Sequence, residues 1–213
     1  MAKKETKSSK KKPSLNEIGT RSGYTSIYDE YQKEERRQDE IPISDYREMR
    51  TNDGKVSALV SLYTLPIWRM SFNVEPTNGD RGEAEFIMDN FTKPFGAGGT
   101  DRSFEYYIRD MAYFIFDGFR AYEKVWYIDE ENKVRLKKLA LRDAETVTIL
   151  SDKDELRGLK QGEVIIPKEK TLLLTYNPSE DMFYGQSILR PVWYHWDKKH
   201  KLYYIAHVAA EVS

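Results

Sequence analysis

The sequence contains no cysteine. That absence excludes a disulfide framework, thiol nucleophiles and cysteine-type structural zinc sites, and it fits a reducing compartment. Histidine is nearly as scarce, with only His195, His200 and His207. The first two stand five positions apart, which is about 500° around a helix, so they do not share a face. His200 and His207 can share one, but a zinc-binding helix wants histidines four apart together with further ligands. All three read as helix-surface or subunit-contact residues, and no metal ligand set is expected.

Long apolar runs are also missing. No stretch approaches the roughly 18–20 apolar residues of a membrane span. The opening "MAKKETKSSKKK" has no apolar segment behind it that would make a secretory signal. The expectation is a soluble protein, made inside the cell, with no membrane partner. Glycine clusters once, in "KPFGAGGT". Consecutive backbone amides there could cradle an oxyanion. However, no P-loop Lys-Ser/Thr follows, and the dinucleotide fingerprint with its preceding strand is absent, so the stretch reads as a structural hinge. The acidic groups Asp129-Glu130-Glu131 and Asp152/Asp154/Glu155 fall in predicted turns, where solvation alone explains them. Neither a nucleophile elbow nor a Walker pair is present. No catalytic residue, no cofactor and no enzyme activity are expected.

Charged residues make up 32% of the 213, hydrophobic residues 39% and aromatics 13%, with a mean hydropathy of -0.72. This combination describes a highly solvated surface carrying aromatic anchors at packing or contact sites. The net charge of -1 conceals an uneven distribution, because the first twelve residues hold six lysines against Glu5 alone. Such a segment is either a solubilising arm or an arm that binds nucleic acid or a partner.

The chain divides into a flexible, charged arm over 1–43, a mixed body over 44–183 and a long helix over 184–213. Within the arm, "YDEYQKEERR" is a candidate short helix. From Ser44, Asp45 with Glu48 suggests a capping arrangement. Val56, Leu59, Val60 and Tyr63 recur at helical spacing until Pro66, after a shorter helix broken at "NDG". In "IWRMSFNVEP" apolar and polar residues alternate strictly, the two-residue period of a half-buried strand. Helices are predicted over about 80–92 and about 101–117. Asp101 is the candidate N-cap of the second and Gly118 its stop. The segments "FRAYEKVWYI", "KVRLKKLAL", "ETVTIL", "LRGLKQ" and "KTLLLTYN" follow as short strands separated by polar turns, which predicts an antiparallel meander. From Ser187 a helix begins, with Pro191 in its first turn, where a missing amide hydrogen costs little. The fold class is therefore α+β: helices packed on an antiparallel sheet, with a disordered N-terminal arm.

The terminal helix has mixed faces. Ile188, Val192, Tyr203, Ile205 and Val208 are apolar, Trp193 and Trp196 are large anchors, and Lys198, Lys199, His200 and Lys201 form a basic cluster. Either the helix packs within its own domain, or it lies at a subunit interface with its lysines toward an acidic partner or a nucleic-acid backbone.

The ordered blocks "VSALVSLYTLPIWRMSFNVEP", "FRAYEKVWYIDEENKVRLKKLALRDAETV" and "VIIPKEKTLLLTYNPSEDMFYGQSILRPVWYHWDKKHKLYYIAHVAAE" resemble the portal proteins of tailed bacteriophages, including the Mu-like branch. In that family a strand resembling "KTLLLTYNP" leads through a Tyr-Gly-x-Ser turn into a long helix. The resemblance covers about residues 45 to 211. It implies a non-enzymatic subunit of a dodecameric ring at one capsid vertex, through which double-stranded DNA is packaged and ejected. The implied partners are other copies of the chain, DNA, the terminase large subunit, the major capsid or scaffolding protein and a head-tail adaptor. The implied location is the virion, with assembly in the host cytoplasm. Family members continue into stem, clip and crown segments, so the resemblance further implies a truncated product or a piece of a longer chain, comprising the arm and most of the wing.

On this reading Trp193, Trp196 and Tyr203 anchor the terminal helix against the wing or a neighbouring subunit. Tyr184 and Gly185 set the turn leading into it, Gly185 by allowing a backbone geometry closed to larger residues. Lys198, Lys199 and Lys201 are candidate contacts for nucleic acid or an acidic partner. Two rivals stand beside it. One is a stand-alone nucleic-acid-binding module built on the lysine arm and the basic helix; the other is an enzyme with a phosphate site at Gly98 and Gly99.

Overall fold

Asp53 decides where the first helix ends and the second begins. Its extended backbone (φ -105°, ψ 112°) breaks the run, and its carboxylate accepts from the amides of Lys55 at 2.9 Å and Val56 at 3.4 Å. Those amides have no partner within the helix they start, so the side chain acts as an N-cap. The break separates α1, Ile43–Asn52, from α2, Gly54–Trp68, as the "NDG" signal predicts. The computed structural model describes residues 41–76, 79, 81–152, 155–178 and 183–212. The expected arm and its short helix lie outside the described residues, apart from Ile41–Ile43.

Two expectations for these helices are corrected. Asp45 does not cap α1: its amide already donates to the Pro42 carbonyl at 3.0 Å, so the backbone is helical there and Pro42 holds the cap position. Pro66 does not end α2, which continues to Trp68. Proline in a last turn forfeits a single backbone bond, and the Pro66 carbonyl still accepts from Arg69 at 3.2 Å. Val56, Val60 and Thr64 form the buried stripe of α2, whereas Tyr63 stays exposed.

The alternating segment after α2 is not a strand. Residues 70–76 belong to no sheet, and Met70 and Phe72 are exposed. A strand needs a neighbour to take its backbone bonds. Here the chain instead runs over α3, Arg81–Thr92, and α4, Phe104–Met111. Phe72 meets Phe104 edge-on at 5.0 Å, beside a groove of about 270 Å³ lined by Trp68, Met88 and Phe91.

The single helix predicted over 101–117 is broken at Ala112 and Tyr113 into α4 and a short α5, Phe114–Asp117. Ser103 is the N-cap of α4, its hydroxyl accepting from the Tyr106 amide at 3.3 Å. Asp101 instead accepts the Tyr107 hydroxyl, and its amide donates to the Lys137 carbonyl at 2.8 Å. Gly118 ends α5 with φ 87°, as predicted. The glycine-rich link is a closed loop and not a free hinge. Pro94 bridges Thr100, the Thr100 amide donates to the Asn90 carbonyl at 3.0 Å, and the Asn90 amide group makes two 2.9 Å bonds with Leu136.

The strands are β1 Phe119–Ile128, β2 Val134–Arg142, β3 Val147–Asp152, β4 Glu155–Gln161, β5 Val164–Pro167 and β6 Thr171–Thr175. They form two three-stranded antiparallel sheets, ordered β2-β1-β6 and β3-β4-β5. A single meander is thus corrected: only β3-β4-β5 meanders, β6 returns to pair with β1, and β5 was not foreseen. The last helix, α6, spans Arg190–Val212, with Pro191 in its first turn. The described residues lie in one compact unit, Gln38–Ser213. It holds a helical core around Tyr46, Met49, Phe116, Leu189, Trp193 and Trp196, and a sheet core around Phe119, Ala121, Ile149 and Leu159.

Candidate functional site

The turn into α6 is assembled from backbone groups of three elements. The Tyr176 amide donates to the Gly118 carbonyl at 2.8 Å, the Gln186 amide to the Tyr176 carbonyl at 2.8 Å, and the Ile188 amide to the Ile115 carbonyl at 3.1 Å. Ser187 donates to the Phe116 carbonyl at 2.5 Å while accepting from the Leu189 amide at 3.0 Å. Gly185 sits inside this knot. A Cβ there would stand 2.2 Å from both the Gly118 and the Tyr176 carbonyl oxygens. Its φ is not in the left-handed region, so close approach, and not backbone freedom, is what requires glycine.

Tyr184 reaches the other way. Its hydroxyl accepts from the Ile149 amide on β3 at 2.9 Å, and its ring stands edge-on to Phe119 on β1 at 5.3 Å. Adjacent residues therefore engage the sheet core and the α5–β1 junction, and the helix leaves from that junction.

The first half of α6 is fixed to the body. Trp193 is 5% exposed and Trp196 9%, and the Trp193 indole donates to Asp45 at 2.8 Å. One turn further on, Lys199 forms an ion pair with Asp53, the residue that already caps α2. The Lys199 ammonium, helped by the Lys55 and Val56 amides, holds the Asp53 carboxyl below its ordinary range, against the opposing effect of burial. The three lysines thus have different surroundings. Lys199 is committed inside the chain, Lys198 lies 5.3 Å from the Tyr194 ring centre, and Lys201 pairs with Asp197 at 2.7 Å along the helix. The histidines are likewise separate: His195 contacts Tyr194, His200 lies 4.4 Å from Trp196 with the two rings tilted, and His207 stands 3.2 Å from Glu211.

The second half of α6 is different. Every residue from Lys201 to Glu211 is exposed. Leu202, Tyr203, Tyr204, Ile205 and Val208 present apolar surface to solvent, and Tyr203 is 66% exposed. Of the two surfaces expected for Tyr203, the wing or a neighbouring subunit, its exposure leaves it out of the core of its own body. A helix of 23 residues is about 34 Å long, and roughly its outer half stands clear.

Sequence reasoning missed the charged cluster beside this site. Asp117, with a side chain 0% exposed, accepts from Arg50 at 2.5 Å and Arg120 at 2.9 Å. Arg120 also grips Asp110 at 2.5 Å, which accepts the Tyr122 hydroxyl at 2.5 Å. Burial pushes the Asp117 carboxyl up against the pull of both guanidiniums, and burial beside Asp110 pushes the Tyr122 phenol up. The Arg50–Asp117 and Arg120–Asp117 pairs tie α1, α5 and β1 together. The partner of Arg50, Asp117, lies 67 positions away, so local sequence carried no signal of the pair.

Among the described residues no helix is long and apolar enough to cross a membrane. Residues 43–209 match the family model described as the portal protein of Mu bacteriophage. No curated protein matches the chain.

Proposed function

Because the chain belongs to the family of the Mu bacteriophage portal protein across residues 43–209, we propose that it works as one subunit of a ring at the capsid vertex, where double-stranded DNA enters and leaves. The family is structural, so the role is assembly and guidance, not catalysis. Head-to-tail contacts close a ring only when each subunit offers two different surfaces. The observation that carries the reading is the division of α6: its inner half is locked to the body by Trp193, Trp196 and Lys199, while its outer half carries unburied apolar side chains.

On this proposal residues 44–183 are the wing-like body, and the helix from 184 onward presents Tyr203 to the adjacent subunit. Lys198 and Lys201 supply the cationic contacts toward DNA or an acidic partner; Lys199 does not, because it holds Asp53. Terminase, the capsid or scaffolding protein and the head-tail adaptor are the partners, and the virion vertex is the location.

Electron microscopy of the purified chain, with mass photometry, tests the proposal. Rings with a central channel are expected, and a uniform monomer at high concentration in low salt would overturn it. Binding of duplex DNA by the monomer, lost on changing Lys198 and Lys201 together, would favour a stand-alone nucleic-acid module instead.

A further inference from the structure

We propose that residues 69–75 form an open strand that takes β5 of a second copy of the chain, so that the sheet β3-β4-β5 continues from one subunit onto the next. Closure of such contacts into a ring rests on the reading above; the pairing of two chains does not. Among the described residues, no backbone amide or carbonyl from Ser71 to Pro76 takes part in a hydrogen bond. Residues 70–76 contain no turn or bend, and all but Val74 are exposed. Met70, Phe72 and Val74 border the groove of about 270 Å³ together with Trp68, Met88 and Phe91. Strict alternation, an unturned backbone and unused peptide groups are the properties of a strand without its neighbour.

The outer edges of the two sheets differ. On β2, Leu136 is bonded to Asn90 at 2.9 Å and the Lys137 carbonyl to the Asp101 amide at 2.8 Å. On β3, the Ile149 amide is bonded to the Tyr184 hydroxyl at 2.9 Å. No residue of β6 is exposed. β5 pairs with β4 alone, and its successive residues Val164 and Ile165 are each 63% exposed. An apolar edge open on both faces is a template for another strand. In strand addition the backbone supplies affinity, and pockets receive alternate side chains; the groove beside residues 70–74 is such a pocket.

Charge selects the partner and the direction. Arg69 and Glu75 flank the open segment, and Glu163 and Lys168 flank β5; all four are exposed, with no ion pair among the described residues. Parallel alignment sets Arg69 beside Glu163 and Glu75 near Lys168, whereas antiparallel alignment opposes like charges at both ends. The first pair of charges stands six positions apart and the second five, about 20 and 17 Å along extended chains, so one register brings both together. A chain carrying both halves of such a contact joins its copies head to tail.

The full chain has no cysteine, so engineered disulfides report the contact without interference. Ser71→Cys and Ile165→Cys chains, mixed, should give a mixed dimer at about ten times the yield of Ser71→Cys with Glu130→Cys. Asn73→Pro removes an amide that is unbonded in the single chain. It should leave the melting midpoint within about 2 °C and weaken association in sedimentation by about tenfold. Val164→Lys, on the other side of the contact, should weaken association similarly. Arg69→Glu and Glu163→Arg should each weaken it and together restore it; no restoration would overturn the parallel register. A mixed dimer no more abundant than the control would overturn the pairing, as would a disulfide closed within single chains of the Ser71→Cys/Ile165→Cys double variant. Rings that persist in Asn73→Pro and Val164→Lys remove the pairing and leave the ring, whereas a mixed dimer without rings keeps the pairing and removes the ring.

Discussion

The indole nitrogen of Trp193 donates to the Asp45 carboxylate at 2.8 Å, joining the first turn of α6 to the first turn of α1 across 148 positions of sequence. Trp193→Phe keeps a buried aromatic ring and deletes the donor together with part of the indole. It should cost about 1–2 kcal/mol, whereas Trp193→Ala should cost about 3–5 kcal/mol. Urea unfolding followed by circular dichroism reads both, and a Trp193→Phe loss close to zero would show that the bond contributes nothing beyond packing.

Gly185 and Gly54 give opposite expectations for the same substitution. Gly185→Ala places a methyl 2.2 Å from two carbonyl oxygens and should destabilise by about 3 kcal/mol or prevent folding. Gly54 lies in the first turn of α2 with nothing within 4 Å of its added Cβ. Gly54→Ala should stabilise by about 0.5–1 kcal/mol. Parallel denaturation of the two variants checks the pair.

Removal of Asp117 leaves the buried Arg50 guanidinium without its counter-charge, while Arg120 keeps only Asp110. Asp117→Ala should cost about 3–5 kcal/mol, measured by denaturant midpoint. A cost under about 1 kcal/mol would mean that the network is not holding α1 to β1.

Acid should weaken the fold through Asp53 and Asp143. Lys199 with the Lys55 and Val56 amides lowers the first below its ordinary value of 3.8, and Arg47 lowers the second. A carboxyl lowered on folding contributes stability that is complete above its unfolded value and is lost as pH falls through the folded one. The melting midpoint should therefore hold through neutral pH and fall below about pH 4. Asp53→Asn should flatten that fall, and an unchanged acid limb would refute the contribution of Asp53.

Tyr203 separates assembly from stability. Its side chain is exposed, so Tyr203→Ser should change monomer stability by less than about 0.5 kcal/mol. Yet it should reduce the ring fraction in mass photometry. Loss of stability without loss of rings would reverse the assignment.

Local chemistry was legible wherever a residue's neighbours in sequence were its neighbours in space. The "NDG" break, the Gly118 stop, Pro191 in a first turn and the strands of the two hairpins all belong to that class. The segment 70–76 misled because alternation reports which side chains are apolar, not whether a strand stands beside them; Phe72 found Phe104 instead. Gly185 was singled out for its backbone geometry, but the close approach that requires glycine there involves the Gly118 carbonyl, brought back from 67 positions earlier by the return of β6 to β1. The arginine cluster was invisible for the same reason. Tyr203 and Trp193 look alike in sequence as aromatics on one helix, and only the point where α6 clears the body distinguishes them.

The knot at Tyr184 and Gly185 also has a mechanical meaning. Tyr184 is bonded to β3, and Gly185 is pinched between the carbonyls of Gly118 and Tyr176, so the root of α6 has no compliant joint in which to swivel. A sideways push on the tip of the helix is transmitted to the sheets as torque, with the Trp193–Asp45 bond as the second bearing. The helix and the body below it turn together as one lever.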